Sequence, residues 1–394
     1  MRALHVVPAL AARYGGPSLA AVGMARALLA SGVEVVLAAT NADGPKDLPV
    51  PLGDETSFEG VPAIFFDRKG SEAFKYAPGL SAWLRAHVHT FDVVHVHGIF
   101  SHACLAAAAA ARNAGVPYVV RPLGNLSSWS MNRKPIRKRI AWHLGVRQML
   151  ERAAAIHYTS EAERLDVESS RGLSRGVVIP HGIEINDRRR DGSGAPYVLF
   201  LSRIHPKKRL ELLIDAFIEV TREEPLRNWR LVIAGDGEPR YVKQLLDIIY
   251  RARVQDRVLF TGWVDGDEKA QVLREASLFA LTSSHENFGI CVAEAMAAHT
   301  PVLVSEHVDL SHDVRRGDAG WVTSLDPSDV RRHLRDALLH DTVRHKRGAN
   351  GRRLIEREFT WARVAGKLTS LYAGLPSAGT VAARTDHLPA VKAA

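Results

Sequence analysis

Cysteine is scarce in this chain of 394 residues, which contains only Cys104 and Cys291. Two thiols in apolar, helix-like surroundings argue against a disulfide framework or a cysteine zinc cluster, and indicate buried small side chains. Long apolar runs are also lacking, because the longest block, 103–111, is far shorter than the roughly 20 residues that cross a bilayer. The opening residues lack the long apolar core of a secretion signal, so we expect a cytoplasmic protein.

Internal repeats and recognisable nucleic-acid-binding modules are absent as well. The formal net charge of +9 nevertheless favours anionic partners. Phosphorylated ligands and an anionic membrane surface remain as candidates, whereas nucleic acid is not expected. A chain of this length exceeds what one hydrophobic core usually serves, so two domains are expected.

Strand and helix patterns alternate along both halves of the chain, which implies parallel sheets covered by helices on both faces. In the first half the predicted strands are 3–10, 33–40, 92–96, 116–121, 153–159 and 177–180, and the predicted helices begin at Pro17 or span 101–114 and 161–168. In the second half the predicted strands are 197–202, 230–234, 258–262, 278–282 and 301–305, and the predicted helices are 210–221, 240–251, 268–275 and 289–298.

Composition suggests where the domains divide. The charged, glycine-bearing stretch 186–196 is typical of an interdomain linker, which predicts an α/β domain over 1–185 and a second over 186–358. A last helix is expected within 359–375, and 376–394 is predicted to be a mobile tail. Two such domains would leave a cleft, and parallel sheets bind ligands beyond the carboxyl ends of their strands.

Two glutamates flank a predicted helix start in the second half. Asn287, Phe288 and Gly289 form a poor helical segment, so Glu286 is expected in a loop and Glu294 on the second helical turn. Free amides at a helix start, here those of Phe288, Gly289 and Ile290, attract phosphate. Carboxylates beside a phosphate can accept hydrogen bonds from sugar hydroxyls. The alternative is two solvated glutamates beside an ordinary amphipathic helix.

Two further loops follow predicted strands. Arg203 and Lys208 lie in the sequence SRIHPKKR, where cations could grip phosphate and stabilise a departing diphosphate. Gly15 and Gly16, before Pro17, would let phosphate approach another helix start. The alternatives are a solvated charged turn and a tight turn without a ligand.

Two other features each allow more than one interpretation. His95 and His97 end a predicted strand and could be hydrogen-bonded structural residues, acceptor contacts or metal ligands, although no third ligand is evident nearby. The segment 133–147 mixes cations with large apolar residues, as a helix on an anionic membrane does. A solvated helical face would explain the same pattern.

Taken together, the motifs resemble the retaining glycosyltransferases of family 4, whose B-type fold has two facing Rossmann-like domains with a cleft between them. They run in order along nearly the whole chain: Gly15-Gly16-Pro17, His181-Gly182-Ile183, Arg203 with Lys208, Ala234-Gly235-Asp236-Gly237, Gly262, and Glu286 with Glu294 followed by EAMAAHTPVL.

The resemblance implies that 1–185 is the acceptor domain, that 186–358 is the nucleotide-sugar donor domain, and that the helix within 359–375 crosses back to the first domain. It also implies a role for each site residue. Arg203 and Lys208 would hold the donor diphosphate, and they would be the catalytic residues together with Glu286. The other donor-binding residues would be Gly16 at the diphosphate, Trp263 and Val264 beside the base, Glu294 at the ribose, and Phe288, Gly289 and Ile290 at the sugar and phosphate. The donor would be a UDP- or GDP-sugar, and no cofactor or metal is expected. The acceptor hydroxyl would attack on the leaving-group face and give its proton to a donor phosphate oxygen.

The acceptor side departs from the family pattern. Many members have a histidine after the strand that corresponds to 116–121, but here the chain reads RPLGN. His97, Arg121 and Asn125 are the predicted acceptor-side residues, and a glycan or lipid-linked acceptor in bacterial polysaccharide, lipopolysaccharide, exopolysaccharide or glycolipid synthesis is expected. Peripheral contact with the inner face of the plasma membrane would suit such an acceptor. The alternatives are a nucleotide-sugar epimerase or hydrolase of the same fold, and a non-catalytic nucleotide-sugar-binding protein.

Overall fold

The computed structural model describes residues 1–133, 135–185 and 194–376. Most of the predicted linker and nearly all of the predicted mobile tail lie outside the described residues. The chain divides into two compact units, one of Met1–Gly182 together with the chain from Trp361 onward, and one of Ile183–Thr360. The predicted divisions were after 185 and after 358.

The first unit is built on a sheet that is parallel except at one edge. Its strands are β1 Arg2–Ala9, β2 Glu34–Thr40, β3 Ala42–Asp43, β4 Lys46–Asp47, β5 Glu55–Phe58, β6 Val61–Phe66, β7 Val93–His97, β8 Tyr118–Arg121, β9 Ala155–Tyr158 and β10 Gly176–Val178. Its helices are α1 Gly16–Ala30, α2 Pro78–His87, α3 His102–Asn113, α4 Ser128–Met131, α5 Pro135–Ala141, α6 Arg147–Glu151 and α7 Glu161–Arg171, with a π-helical turn, Trp142–Val146, between α5 and α6. In the described residues the main sheet has the order β10-β9-β8-β7-β1-β2-β6-β5, and β5 is antiparallel to β6.

The second unit has a parallel sheet of order β13-β12-β11-β14-β15-β16 within the part of the chain that is described. Its strands are β11 Tyr197–Leu201, β12 Arg230–Ala234, β13 Val258–Gly262, β14 Leu278–Leu281, β15 Val302–Ser305 and β16 Gly320–Thr323. Its helices are α8 Leu210–Val220, α9 Pro239–Ala252, α10 Gly266–Glu275, α11 Ile290–Ala297, α12 Ser311–Arg316, α13 Pro327–Leu339 and α14 Asp341–Glu358. One hydrophobic core joins the strands to the helices on both faces.

The last helix, α15 Trp361–Ala373, belongs to the first unit. Val364, Leu368 and Tyr372 of α15 are buried in the same apolar cluster as α1 and one face of the main sheet. Trp361 packs so tightly that a Cβ on Gly182 would lie 2.1 Å from its ring. Close packing of this kind explains why α15 clusters with the first unit although it follows the second in sequence.

The predicted strands and helices are confirmed, with ends that differ by a few residues. The elements that were not predicted are β3 to β6, α2, α4 to α6, α12 to α14 and β16. Among the described residues, no helix is both long enough and apolar enough to cross a bilayer.

Candidate active site

In the second unit, the loop after β11 is held against the loop after β12 by backbone contacts. The Ser202 amide donates to the Ala234 carbonyl at the end of β12 at 3.1 Å, and the Ile204 amide donates to the Asp236 carbonyl in the following loop at 2.8 Å. Gly235 has φ of +133°, and a Cβ there would lie 2.1 Å from the Ser202 carbonyl oxygen. Glycine alone permits this approach, which sets the path of the chain that carries Arg203.

Lys207, Lys208 and Glu286 form an ion cluster. Lys208 Nζ donates to Glu286 Oε1 at 2.5 Å, and Lys207 Nζ lies 3.2 Å from the same oxygen. Burial would raise the pKa of the Glu286 carboxyl, but the charges of Lys208 and Lys207 outweigh it and lower that pKa. The cluster therefore keeps Glu286 ionised at neutral pH and carries more positive than negative charge.

Hydrogen bonds tie the lysine loop to the end of β14. The Ser284 amide donates to the Lys207 carbonyl at 2.8 Å, and Thr282 Oγ1 donates to the Arg209 carbonyl at 3.0 Å. These bonds bring together two segments that are far apart in the sequence. The segments that carry Lys208 and Glu286 are thus in contact, while the roles of both residues stay predictions.

The start of α11 lies directly after this cluster. Gly289 has φ of +85° and its carbonyl accepts from the Val292 amide at 2.9 Å, which begins the helix. No side chain of the described residues caps α11. The positive end of α11 therefore carries no capping side chain from these residues, and anion binding by the amides of Phe288, Gly289 and Ile290 stays a prediction.

Glu294 lies on α11, where Lys269 of α10 pairs with it. Lys269 Nζ donates to Glu294 Oε1 at 2.6 Å, and both side chains are partly exposed. Sequence reasoning missed Lys269, as it missed the ion pair of Lys207, because a lysine in a polar helix or turn carries no local signal of its partner.

The two residues predicted to flank the base, Trp263 and Val264, differ in their exposure. Val264 is only 5% exposed and belongs to the core of the second unit, because it is an apolar residue directly after β13. The neighbouring Trp263 is 49% exposed, and its indole N–H donates to Asp265 Oδ2 at 3.1 Å. Of the two side chains only the Trp263 ring is exposed, and its place beside the base stays a prediction.

Several polar atoms of the cluster have no partner among the described residues. Lys208 and Lys207 use only Oε1 of Glu286, and Oε2 accepts no hydrogen bond there. The exposed Arg203 makes no ion pair with any described residue. The arrangement therefore offers cations and helix amides to an anion, and free carboxylate oxygens to hydroxyl groups.

In the first unit, Gly15 and Gly16 lie between β1 and α1, and Gly16 is the first helical residue. The hydroxyl of the preceding residue, Tyr14, donates to Glu72 Oε1 at 2.6 Å, and this bond orients the Tyr14 side chain. Lys75 Nζ donates to the same oxygen at 2.7 Å and lies 4.6 Å from the centre of the Tyr14 ring. This network fixes the start of the glycine loop, and sequence reasoning did not detect it.

Four histidines lie side by side on the face of the main sheet that α15 covers. The parallel register pairs His5 with His95 across β1 and β7, and alternation along β7 puts His97 on the same face. His157 of β9 lies opposite Arg121 in the continued register. All four histidines are buried, so the first unit has a polar layer within its core.

A chain of hydrogen bonds joins these rings to Tyr372 of α15. The Ile179 carbonyl can only accept, so His157 donates to it from Nε2 at 2.7 Å. With neutral rings, this first bond sets the direction of the others. His95 Nε2 donates to His157 Nδ1 at 3.2 Å, and the Tyr372 hydroxyl donates to His95 Nδ1 at 2.6 Å. His5 Nε2 donates to the Tyr372 hydroxyl at 3.1 Å, and His97 Nε2 donates to His5 Nδ1 at 3.2 Å. His97 Nδ1 ends the chain without a partner among the described residues.

Neutral rings are expected at these positions. Burial, followed by the charge of Arg121, lowers the pKa of His5 to about 3. The pKa values of His95, His97 and His157 also fall well below the ordinary value, and burial is the largest cause in each case.

The metal-ligand interpretation of His95 and His97 gains a third candidate ligand from the structure. Ring nitrogens of His5, His95 and His97 lie within 4.8 Å of one another. However, most of those nitrogens already bond to each other or to Tyr372, and Arg121 adds a positive charge nearby. We therefore interpret the three histidines as hydrogen-bonded structural residues.

The predicted acceptor-side residues are placed differently from one another. His97 and Arg121 are 1% and 0% exposed, because both end buried strands under α15. Arg121 Nη2 bonds to His181 Nδ1 at 2.9 Å, and burial lowers the pKa of Arg121 to about 10. Asn125 is partly exposed, but its side-chain amide donates to the Pro122 carbonyl at 2.9 Å within its own turn. The structure therefore does not place His97 and Arg121 at the surface, and an acceptor role for all three stays a prediction.

Two family profiles match consecutive parts of the chain. The profile described as "Glycosyl transferase 4-like domain" matches residues 15–182, and the profile "Glycosyl transferases group 1" matches residues 184–354. The boundary between them falls where the two compact units divide.

Two curated proteins are similar in sequence to parts of this chain. The chain is 29% identical over 192 residues to mannosylfructose-phosphate synthase of Agrobacterium fabrum, which is 48% of this chain and 42% of that protein. It is 30% identical over 219 residues to phosphatidyl-myo-inositol mannosyltransferase of Mycobacterium tuberculosis, covering 52% of this chain and 56% of the relative. The chain thus spans about half the length of these relatives.

A solved structure supports the fold. The crystal structure of HepE from Anabaena in complex with UDP and glucose superposes with a TM-score of 0.76 at 19% identity, covering 95% of this chain and 100% of HepE. These matches give no support to the alternative of a nucleotide-sugar epimerase or hydrolase. With its two parallel-sheet units and both profiles in sequence, the chain belongs to the group 1 glycosyltransferases and has the B-type glycosyltransferase fold.

Proposed function

We propose that this protein transfers a sugar from a UDP- or GDP-sugar to a hydroxyl acceptor, with retention of the anomeric configuration and without a metal ion. The observation that carries the proposal is the cluster of Lys207 and Lys208 on Glu286, directly before the uncapped start of α11. Arg203 lies in the same loop. Such a group of cations and amides fits a diphosphate better than any neutral ligand.

In the proposed reaction the bond between the sugar C1 and the diphosphate oxygen breaks while the acceptor oxygen bonds to C1 on the same face. The acceptor hydroxyl gives its proton to a phosphate oxygen of the donor, and the nucleoside diphosphate leaves. Negative charge grows on the diphosphate as the bond breaks. Arg203, Lys208 and the amides of α11 would stabilise that charge, and the burial of Lys208 strengthens its effect.

Carboxylates would position the neutral parts of the donor. Glu286 has a free Oε2 for a sugar hydroxyl, while its Oε1 stays on the lysines. Glu294 would accept the ribose hydroxyls, and its pairing with Lys269 keeps its carboxylate in place on α11. Gly16 of the first unit would let the diphosphate approach the start of α1.

We place the acceptor among glycans or lipid-linked saccharides of polysaccharide or glycolipid synthesis. The similarity to a phosphatidyl-myo-inositol mannosyltransferase supports a lipid-linked acceptor. A cytoplasmic location with peripheral contact at the inner face of the plasma membrane belongs to the same proposal, and the net charge of +9 supports it.

The test is a panel of UDP- and GDP-sugars, each followed by a thermal shift and by release of the nucleoside diphosphate. One base and one sugar should stabilise the protein, since ligand binding stabilises the native state in proportion to occupancy. Lys208→Met should lower kcat roughly 100- to 1000-fold with the preferred donor. Lys243→Met, at an exposed position of α9, is the matched control and should leave kcat unchanged.

Two measurements address the finer statements. The anomeric coupling constant in the NMR spectrum of the product reports retention, and an inverted product would refute that part of the proposal. Turnover that EDTA abolishes and a divalent metal restores would refute metal independence. Donor hydrolysis at the same rate without any acceptor would favour a hydrolase instead.

A further inference from the structure

One helical surface of the first unit exposes large apolar side chains. The helical run from α5 through the π turn to α6 carries Ile136, Ile140 and Leu144, which are 75%, 54% and 80% exposed. Leu144 and Ile136 are the two most exposed large apolar side chains of the residues that the structure describes. Their spacing of four residues puts them on one side of the run.

The opposite side of the same run makes the contacts that hold it in place. Val146, Met149 and Leu150 are buried in the apolar cluster beneath α3, and Trp142 packs against that cluster. The fold of the segment therefore does not depend on Ile136 or Leu144. An exposed apolar side chain gains nothing from facing water, so its place here needs another explanation.

Cations lie between these apolar residues. Arg133, Arg137 and Arg139 are exposed, and the chain contains no aspartate or glutamate between residues 93 and 150. Arg137 and Arg139 form no ion pair with any residue of the described ranges, whereas Arg147 pairs with Glu151 at 2.7 Å. The surface is thus positively charged as well as apolar.

We propose that this surface, made of Arg133, Ile136, Arg137, Arg139, Ile140 and Leu144, binds the headgroup region of an anionic lipid bilayer. The apolar side chains would enter the boundary between headgroups and acyl chains, and the guanidinium groups would pair with lipid phosphates. The charge favours a lipid surface over a second copy of this chain, because two copies facing each other would bring their unpaired arginines together. The inference deepens the proposed function, since it names the surface that would bring the enzyme to a lipid-linked acceptor.

The experiment measures co-sedimentation of the full chain with vesicles of phosphatidylcholine alone and with vesicles that also contain phosphatidylglycerol. Binding is expected with phosphatidylglycerol only, and it should weaken as salt is added. Arg137→Ser with Arg139→Ser should reduce the partition coefficient roughly 30-fold, because each cation near an anionic surface contributes about 1 kcal/mol. Ile136→Ser, Ile140→Ser and Leu144→Ser together should reduce it at least roughly tenfold.

The matched charge control is Arg85→Ser with Arg240→Ser, which removes two exposed arginines elsewhere. The matched apolar control is Leu19→Ser, Leu165→Ser and Leu259→Ser, whose side chains are also exposed. Neither control should lose vesicle binding. Equal loss in a control and in the corresponding test variant would overturn the proposal, as would binding that ignores phosphatidylglycerol.

Two further outcomes separate this inference from its alternatives. The first outcome is a dimer in sedimentation velocity that the triple serine variant no longer forms, together with wild-type protein that does not bind vesicles. This outcome would assign the surface to self-association and overturn the lipid proposal. Thermal shift with UDP and GDP reports the second unit and should be the same in every variant. Vesicle binding without any response to either nucleotide would count against the proposed function and leave the lipid surface standing.

Discussion

Lowering the pH from about 7 to about 5 should destabilise the first unit through its buried histidines. His5, His95, His97, His157 and His181 are buried, and burial is the largest cause of the lowered pKa in each of them. In the unfolded chain these rings return to the ordinary value of 6.5. The unfolded chain therefore takes up protons below that pH, while the folded unit resists them.

The sign follows from this difference. Above pH 6.5 both states carry neutral rings and no free energy of unfolding is lost, whereas below it each added proton favours the unfolded chain. For His5, whose pKa in the folded unit is about 3, the loss between about pH 7 and about pH 5 is about 2 kcal/mol. The pKa values of the other four rings are lowered in the same direction, so their protonation adds to this loss.

Hydrogen–deuterium exchange, corrected for the intrinsic effect of pH, measures this loss within the intact chain. Amides of β7, which carries His95 and His97, should lose protection strongly at about pH 5. Amides of β14 in the second unit are the internal reference. His157→Gln keeps a donor and an acceptor without titrating, so the loss of protection between about pH 7 and about pH 5 should be smaller in this variant.

Exposed His89 provides the control, because His89→Gln should leave the pH dependence of β7 unchanged. Equal protection of β7 at both pH values would refute the reasoning. A parallel loss in β7 and β14 would also refute it, since the cause would then lie outside the histidine layer.

Three other changes test individual contacts. Tyr372→Phe leaves His95 Nδ1 and His5 Nε2 without their shared partner, so urea denaturation should show a loss of about 2–4 kcal/mol in the first unit. Glu294→Gln should raise the Kd of the donor about tenfold, because a carboxylate accepts stronger hydrogen bonds from ribose than an amide does. The control Glu268→Gln, on the exposed side of α10, should leave that Kd unchanged. Calorimetric titration with UDP and GDP measures both variants. Gly235→Ala should lower the Tm and weaken nucleotide binding, because its Cβ would lie 2.1 Å from the Ser202 carbonyl oxygen, and an unchanged Tm would contradict the close approach described above.

Some elements could not be predicted because their local sequence argues against them. Gly348 and Gly351 lie inside α14, where glycine costs about 1 kcal/mol relative to alanine. The structure explains both, because a Cβ on Gly348 would lie 2.1 Å from the His299 carbonyl and one on Gly351 would lie 3.1 Å from Met296. Likewise, β5 is an edge strand that pairs antiparallel to β6, so the alternation of strand and helix that predicted its neighbours does not reach it.

The candidate site also contains some residues that could be predicted from the sequence and others that could not. Glu286, Glu294, Arg203 and Lys208 were predicted from sequence, because each lies beside a strand end or helix start that local patterning reveals. The partners Lys207 and Lys269 were missed, since an ion pair depends on where two distant segments meet.

The sequence by itself determined the alternation of buried strands and amphipathic helices, and with it the parallel sheets and their ligand-binding edges. Hydrophobic periodicity is a local property, so it can be read without the fold. Only the tertiary structure decided which polar side chains face each other, as in the chain of bonds from His157 to His97 through Tyr372. That outcome depends on strand register and on the docking of α15, both of which arise from contacts between residues far apart in the chain.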